Sequence, residues 1–428
     1  MKLRPVWLVS CVCASVTVGA IAFTLYQNHR ADELVREAHA RLEMSLVAAP
    51  DLDRLQISTA ISLLKRAEEL GRSAPEDVGY LHYAAALEDL QRGDLILADA
   101  QVEIAHARLG WTADLHVAAG AIAMRREQLA AAEEHFGEAL SIAPHHPRAL
   151  LYASDIAFDR GHPDQALRLL DTLAHAETSA GCVFNRRGLA REAVGQLDGA
   201  REDLRRSARL DPQDPSPMIN LGRLLRREGD HVGSLESFRQ AIARAPTEPD
   251  AHLGAGLALA SLGDARGAHA ELARAMELAP HDAEPVVALG DLSADVGESA
   301  VAIGFYREAL AREAGDATSW LKLGNALALA RDLRGAADAY HQALRREPNL
   351  AAAHNGLGVA LMRLGDQAAS AELTRAAELD AHDPHPWMNI ALLREHAGDR
   401  SGARTAWQNA LERDPSSAVA QSRLAALP

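Results

Sequence analysis

The chain has 428 residues, a formal net charge of −15 at pH 7, 4% aromatic residues and three cysteines. So acidic a balance argues against sequence-independent nucleic-acid binding, which needs a basic stripe to neutralise phosphates, and favours cationic or mixed-charge protein partners. With few large rings available, small aliphatic side chains must fill the core; Lys occurs only three times, so Arg supplies nearly all the positive charge.

The chain opens on an apolar run. Val6 to Tyr26 is 21 residues without a charge, enough to cross a bilayer as one helix. Lys2 and Arg4 precede it, and Trp7 and Tyr26 sit near its two ends. The positive-inside tendency puts the N-terminus in the cytoplasm and everything after residue 30 outside it, in a periplasmic position. A retained single-pass transmembrane anchor over residues 1–30 is the favoured reading; a cleaved signal with Ala20 and Ala22 at its small-residue site, leaving a secreted or periplasmic protein, is the alternative. Leu8-Val9-Ser10-Cys11 resembles a lipoprotein box, but the apolar region before it is too short. Cys11 and Cys13 lie inside the run, so Cys182 stands alone in the rest of the chain and no disulfide framework exists there.

Residues 31–78 predict two helices, Asp32 to Val47 and Leu52 to Leu70, split by Ala-Ala-Pro. They read as an N-terminal cap. From residue 79 the pattern becomes periodic, and the stretch 317–350 shows it best. Trp320, Leu323, Gly324 and Leu327 share one helix face, Arg331-Asp332 breaks the pattern, and Ala336, Tyr340 and Ala343 define the apolar face of a second helix ended by Pro348. Counted from Ala317, the unit has a large residue at 4, Leu at 7, Gly at 8, an aromatic at 24 and small residues at 20 and 27.

This pattern resembles the tetratricopeptide repeat family, whose period of about 34 residues carries large, small and aromatic side chains in this order. Starting units at 79, 113, 147, 181, 215, 249, 283, 317 and 351 places Ala86, Gly120, Ser154, Gly188, Gly222, Gly256, Gly290, Gly324 and Gly358 at position 8. Position 27 is small in nearly every unit, for example Ala105, Ala139, Ser207 and Ala343, with Leu173 the exception. A tenth unit begins at Pro384, and Val419, Leu424 and Leu427 in residues 418–428 fit a short capping helix over it. The resemblance therefore implies an all-α tetratricopeptide-repeat α-solenoid, a right-handed superhelix of about ten helix-turn-helix units over 79–417, preceded by one transmembrane helix.

The resemblance also implies where partners bind. In this family, positions 2, 5, 9, 12 and 13 of the first helices line a concave groove that grips partner proteins or peptide segments. Here those positions give Asp155 and Asp159, then Arg223, Arg226 and Arg227 with Ile219 beside them, then Glu284, Asp291 and Asp295, an acidic, basic, acidic alternation. Asn185, Arg186 and Asn220 add polar groups next to the basic cluster. Three guanidinium groups on one face gain by meeting an acidic segment bidentately. Asp155, Asp159 and Asp203 are equally placed to neutralise arginines internally, so partner grip and solvated face both stay open. Arg187 and Arg191 depart from the family, standing at positions 7 and 11 where apolar packing is expected, so their helix is expected to rotate or its joint to loosen.

No catalytic signature is present: no glycine-rich phosphate loop, no Gly-x-Ser-x-Gly elbow and no His-Glu-x-x-His. His145-His146 and the pair His382 and His385 flank prolines without carboxylate or cysteine partners at ligand spacing and read as solvated turn residues. His82, His116, His252 and His354 recur at position 4 and read as flat rings in packing positions, with a pH response as the alternative. Neither the Lys, Asn and Arg carboxylate clamp of some co-chaperones nor a full asparagine ladder at position 6 is reproduced; only Asn220 and Asn389 stand there. The expected function is a scaffold or adaptor, with no enzyme activity, cofactor or metal. A non-catalytic substrate-recruiting subunit of an envelope enzyme complex is the alternative, and a self-associating array, which would leave the oligomeric state open, is the third.

Overall fold

A computed structural model describes residues 24–42, 50–72, 74–175, 180–312 and 315–427, and helix is the only regular structure among them. The chain divides into two compact units, one ending at Leu221 and one beginning at Gly222. The first holds α1 (24–42), α2 (Pro50–Glu69), α3 (Pro75–Arg92), α4 (Leu95–Leu109), α5 (Ala113–Arg125), α6 (Leu129–Ile142), α7 (Pro147–Asp159), α8 (Pro163–His175), α9 (Gly181–Ala193) and α10 (Leu197–Leu210). The boundary falls within α11 (Ser216–Arg227). The second unit continues with α12 (His231–Arg244), α13 (Pro249–Ser261), α14 (Ala265–Leu278), α15 (Glu284–Asp295), α16 (Ser299–Arg312), α17 (Ala317–Leu329) and α18 (Leu333–Arg346). It ends with α19 (Ala351–Leu364), α20 (Ala369–Leu379), α21 (His385–His396), α22 (Arg400–Arg413) and α23 (Ala418–Ala426).

Local chemistry sets these boundaries. Several first helices open on a proline, whose fixed φ suits the first helical position, or behind a capping side chain: Thr112 accepts from the Leu115 amide and Asp316 from the Ser319 amide. Second helices reuse one device, an aspartate that accepts from the amide three residues on, as Asp230, Asp264, Asp332 and Asp399 do. The turn between them needs one residue at positive φ. Glycine usually supplies it, but Arg331 sits there at φ 64°, which is why the break at Arg331-Asp332 is a turn without a glycine.

Outside α11, each first helix from α3 onward packs most extensively on the second helix that follows it, as α5 does on α6 and α17 on α18. Their closeness rests on position 8. A Cβ added at Gly120 would lie 2.6 Å from the Phe136 ring, and one at Gly324 would lie 2.6 Å from Tyr340. Phe238 and Tyr340 are also pressed against the following first helix, where Gly254 and Gly356 leave equally little room. The small residues of position 27, Ala139, Ala241, Ala275 and Ala343, are fully buried beneath them.

The ends depart from the sequence expectation in detail. Residues 24–42 form one continuous helix through residue 30, because Gln27 to Arg30 end the apolar run with polar side chains but contain no helix breaker. Its Ala31, Leu34, Val35, Ala38 and Leu42 join the core made with α2 to α5. At the other end α23 places Ala420, Leu424 and Leu427 in the cluster around Trp407, but Val419 is exposed, on the opposite side of the helix. The apolar stretch Val6 to Tyr26 lies outside the described residues except for its last three; among the described residues no helix is long and apolar enough to cross a membrane.

Two glycine substitutions separate packing from propensity. Gly254→Ala should lower stability by roughly 1–3 kcal/mol through overpacking against Phe238, although alanine is the better helix former. Gly304→Ala, on α16 with nothing within 4 Å of the added Cβ, should instead raise it by about 1 kcal/mol. Urea denaturation midpoints measure both, and shifts of the same sign would contradict the packing account.

Candidate functional site

Adjacent first helices are tied to each other by polar rungs. In the first unit, Arg186 Nε on α9 donates to Asp155 Oδ1 on α7 at 2.6 Å, and Asn220 Nδ2 on α11 donates to Asn185 Oδ1 at 3.0 Å. Burial holds the Asp155 carboxyl above its usual range despite Arg186. In the second unit, Arg223 Nη2 meets Asp250 Oδ2 on α13 at 2.7 Å, Lys322 Nζ on α17 meets Asp291 Oδ2 on α15 at 2.6 Å, and Asn389 Nδ2 on α21 meets Asn355 Oδ1 on α19 at 2.8 Å.

These rungs correct the charge map. Asp155, Arg186, Arg223 and Asp291 are bound within the chain, so the acidic, basic, acidic alternation is in large part a set of internal pairs. Asp291 also accepts a 2.7 Å hydrogen bond from the Tyr306 hydroxyl, which reaches through from α16. Burial and that carboxylate push the phenol well above its ordinary pKa. Tyr340 does the same to Asn325 at 2.8 Å, and burial pushes its phenol up to about 12. The partners Asp250, Lys322, Tyr306 and Asn355 were missed by sequence reading. The signal was there: a hydroxylated ring at position 24 beside a polar residue at position 9. Ile219, expected beside the groove, is buried at 6% exposure, because a branched apolar side chain next to Met218 and Leu221 stays out of water.

What stays available is the C-terminal part of α11. Arg223 and Asp250 are each about half exposed, so their pair contributes little and exchanges readily with another carboxylate. Arg227 is exposed, and Arg226 is partly buried with its Nε sealed from water and without an acceptor. Glu284 and Asp295 are also exposed, at the two ends of α15.

α9 packs on α10 as extensively as α5 on α6, and residues 176–179, at the joint before α9, lie outside the described residues. Asp203 on α10, 2% exposed, takes both Arg187 and Arg191. Arg187 Nε and Nη2 bind its two oxygens at 2.8 and 2.7 Å, Arg191 Nη1 lies 2.9 Å from Oδ2, and Asp171 adds a second carboxylate at 3.2 Å from Arg187. The bond to Asp203 holds the Arg187 guanidinium above its ordinary pKa. Phe184 lies beneath, its ring centroid 5.2 Å from Arg187 Cζ and 4.0 Å from Arg206 Cζ. A charged network has replaced the usual apolar contact.

The position-4 histidines pair with second helices. His252 Nδ1 lies 2.7 Å from Glu271 and its Nε2 3.1 Å from the Pro246 carbonyl; His354 repeats this with Glu372 and Pro348 at 2.6 and 3.0 Å. His116 Nδ1 lies 3.2 Å from His135 Nδ1 and stacks on Trp111, and burial with that second ring lowers its pKa. Among the described residues no group of three or more His, Cys, Asp or Glu is placed to hold a metal ion.

The Asp203 network yields a direct test. Asp203→Ala leaves the buried Arg187 and the partly buried Arg191 with only the half-exposed Asp171 as a carboxylate and should cost about 3 kcal/mol. Replacing Arg187, Arg191 and Asp203 together by leucine should restore most of that loss. Chemical denaturation of both variants decides it, and a mild effect of Asp203→Ala alone would refute a structural role for the network.

Two family profiles, both described as tetratricopeptide repeat, match the chain: one at residues 123–180 and 225–291, the other at 153–215, 185–249 and 321–384. Together they cover more than half of the 428 residues. No curated protein matches. Among solved structures, YrrB, described as a TPR protein with an unusual peptide-binding site, is 18% identical over 44% of this chain and 98% of its own, with a TM-score of 0.39. The APC/C hetero-tetramer Cut9-Hcn1 is 16% identical over 92% and 96% with a TM-score of 0.47, and PilF of Pseudomonas aeruginosa is 18% identical over 52% and 100% with 0.46. Likeness at this level carries no argument about binding.

Proposed function

Because the chain belongs to the tetratricopeptide repeat family, we propose that it is a protein-protein interaction scaffold whose basic cluster Arg223, Arg226 and Arg227 grips an acidic segment of a partner. The observation that carries this reading is the C-terminal part of α11, where Arg223 and Arg227 are exposed beside the partly buried Arg226 and Arg223 is held only by a half-exposed ion pair. The partner displaces Asp250 from Arg223 at little cost, since that pair is half exposed. Glu284 and Asp295 offer the opposite charge further along the second unit, suiting a segment of mixed charge.

Replacing Arg223, Arg226 and Arg227 together by alanine should weaken binding of a labelled oligo-glutamate peptide roughly tenfold or more, as expected for losing charge-assisted hydrogen bonds. Its salt dependence should flatten as well. Fluorescence anisotropy at two ionic strengths reads both, with circular dichroism confirming retained helix. Unchanged affinity in a folded variant returns the three arginines to a solvated face.

We further propose that the scaffold is held at a membrane by Val6 to Tyr26, with the repeats on the extracytoplasmic side. Lys2 and Arg4 before the apolar run support that orientation. A reporter fused after Pro428 should be active only outside the cytoplasm and should sediment with membranes. Cytoplasmic activity overturns the orientation, and a shorter soluble product selects signal cleavage.

A further inference from the structure

One helix of the first unit is apolar on two sides. Ala98, Val102 and Ala105 of α4 are buried in the core shared by α1 to α5. On the other side Ile96, Leu97 and Ile104 are 79%, 50% and 41% exposed, and Ala100 and Ala107 on the same side are exposed as well. A helix apolar on both sides is normally covered on both. Later second helices of this unit do not repeat the feature. Where α4 has Ala100 and Ile104, α6 has Glu134 and Glu138, and α10 has Glu202 and Arg206, all exposed.

The spacing and the flanking charges say what covers it. Leu97, Ala100, Ile104 and Ala107 follow each other at steps of three, four and three, the a and d positions of two heptads, and so present one seam to a facing helix. Glu103 and Arg108 flank that seam on opposite sides, at the g and e positions. Both are exposed, and among the described residues neither makes a hydrogen bond or ion pair. Five residues apart, they point away from each other on their own helix. In a parallel pair of identical helices, however, the g side of one meets the e side of the other, which brings Glu103 to Arg108 of the second copy twice over. An antiparallel pair would set like flank against like, Glu103 facing the acidic side again.

We infer that α4 packs in parallel against α4 of a second copy of this chain, about a two-fold axis, and that the protein is a homodimer. Leu97, Ala100, Ile104 and Ala107 meet their own counterparts along the axis, as an isologous contact requires, and Ile96 covers the seam at its N-terminal end. One helix face is smaller than the roughly 800 Å² that each partner gives to a standard interface, so the dimer forms reversibly with concentration. The seam uses no residue of the α11 cluster, and dimerisation stands or falls apart from the grip on acidic segments proposed above.

Analytical ultracentrifugation of the full chain in detergent, across a series of concentrations, should show a monomer–dimer equilibrium. Ile96→Glu combined with Ile104→Glu should raise the dissociation constant at least roughly tenfold, because it puts charges into an apolar seam. Helicity and the denaturation midpoint should stay unchanged, since both side chains are exposed in the monomer. Glu103→Arg and Arg108→Glu should each weaken the dimer, and the two together should restore it. In a background of Cys11→Ser, Cys13→Ser and Cys182→Ser, Ala100→Cys and Ala107→Cys should each cross-link to their own counterpart on mild oxidation, and Arg168→Cys on α8 should not. Antiparallel pairing lets at most one of positions 100 and 107 do so. A monomer at every concentration overturns the proposal, as does a dimer indifferent to the two isoleucine substitutions. A charge exchange that fails to restore the dimer, or self-cross-linking at only one of the two alanine positions, overturns it equally.

Discussion

The fold depends on how closely a first helix can approach a large side chain of the second. Gly120, Gly222, Gly290 and Gly324 each leave less room than one methyl group needs against Phe136, Phe238, Tyr306 and Tyr340. That approach fixes the distance within a pair. The same rings then press on the next first helix, so Phe238 is held between Gly222 and Gly254 and Tyr340 between Gly324 and Gly356. One ring thus sets both the spacing within a unit and the spacing to its neighbour. Stacked repeats are stabilised by such nearest-neighbour contacts, without a single central core.

Around this spine the polar groups act as secondary ties. Arg312, Arg346 and Arg413, near the ends of second helices, bind the carbonyls of Asp282, Gly315 and Ala381 just before the first helices of the same pairs, closing each turn. His252 and His354 close theirs from the first helix instead. Where Arg187 and Arg191 take apolar positions, Asp203 is buried with them and the geometry of the pair is kept. Buried ion networks are satisfied at a desolvation cost, which explains why this device stands in one pair while glycine and aromatic packing recurs.

The rungs between first helices bear on binding. A scaffold face made of unpaired charges would repel itself, whereas pairs such as Arg223 with Asp250 keep the face soluble and hold its side chains loosely. Exchange of one carboxylate for another there is nearly neutral in free energy, so selectivity must come from groups the chain leaves unmatched. Among the described residues Arg226 is such a group.

The sequence by itself determined the helical class, the length of the repeating unit and the pair boundaries, because periodic apolar spacing, prolines at helix starts and aspartate caps act over a few residues. Those local rules placed Gly324 and Tyr340 on the apolar faces of two successive helices, and Arg331-Asp332 at the break between them. Only the tertiary structure decided which charges are spent. Asp155 and Arg186 are 31 residues apart, as are Asp291 and Lys322, and no local pattern says that side chains one repeat apart will pair with each other before meeting a partner. Such pairing belongs to the distances between helices, which are fixed by packing across the stack rather than by the order of residues along it.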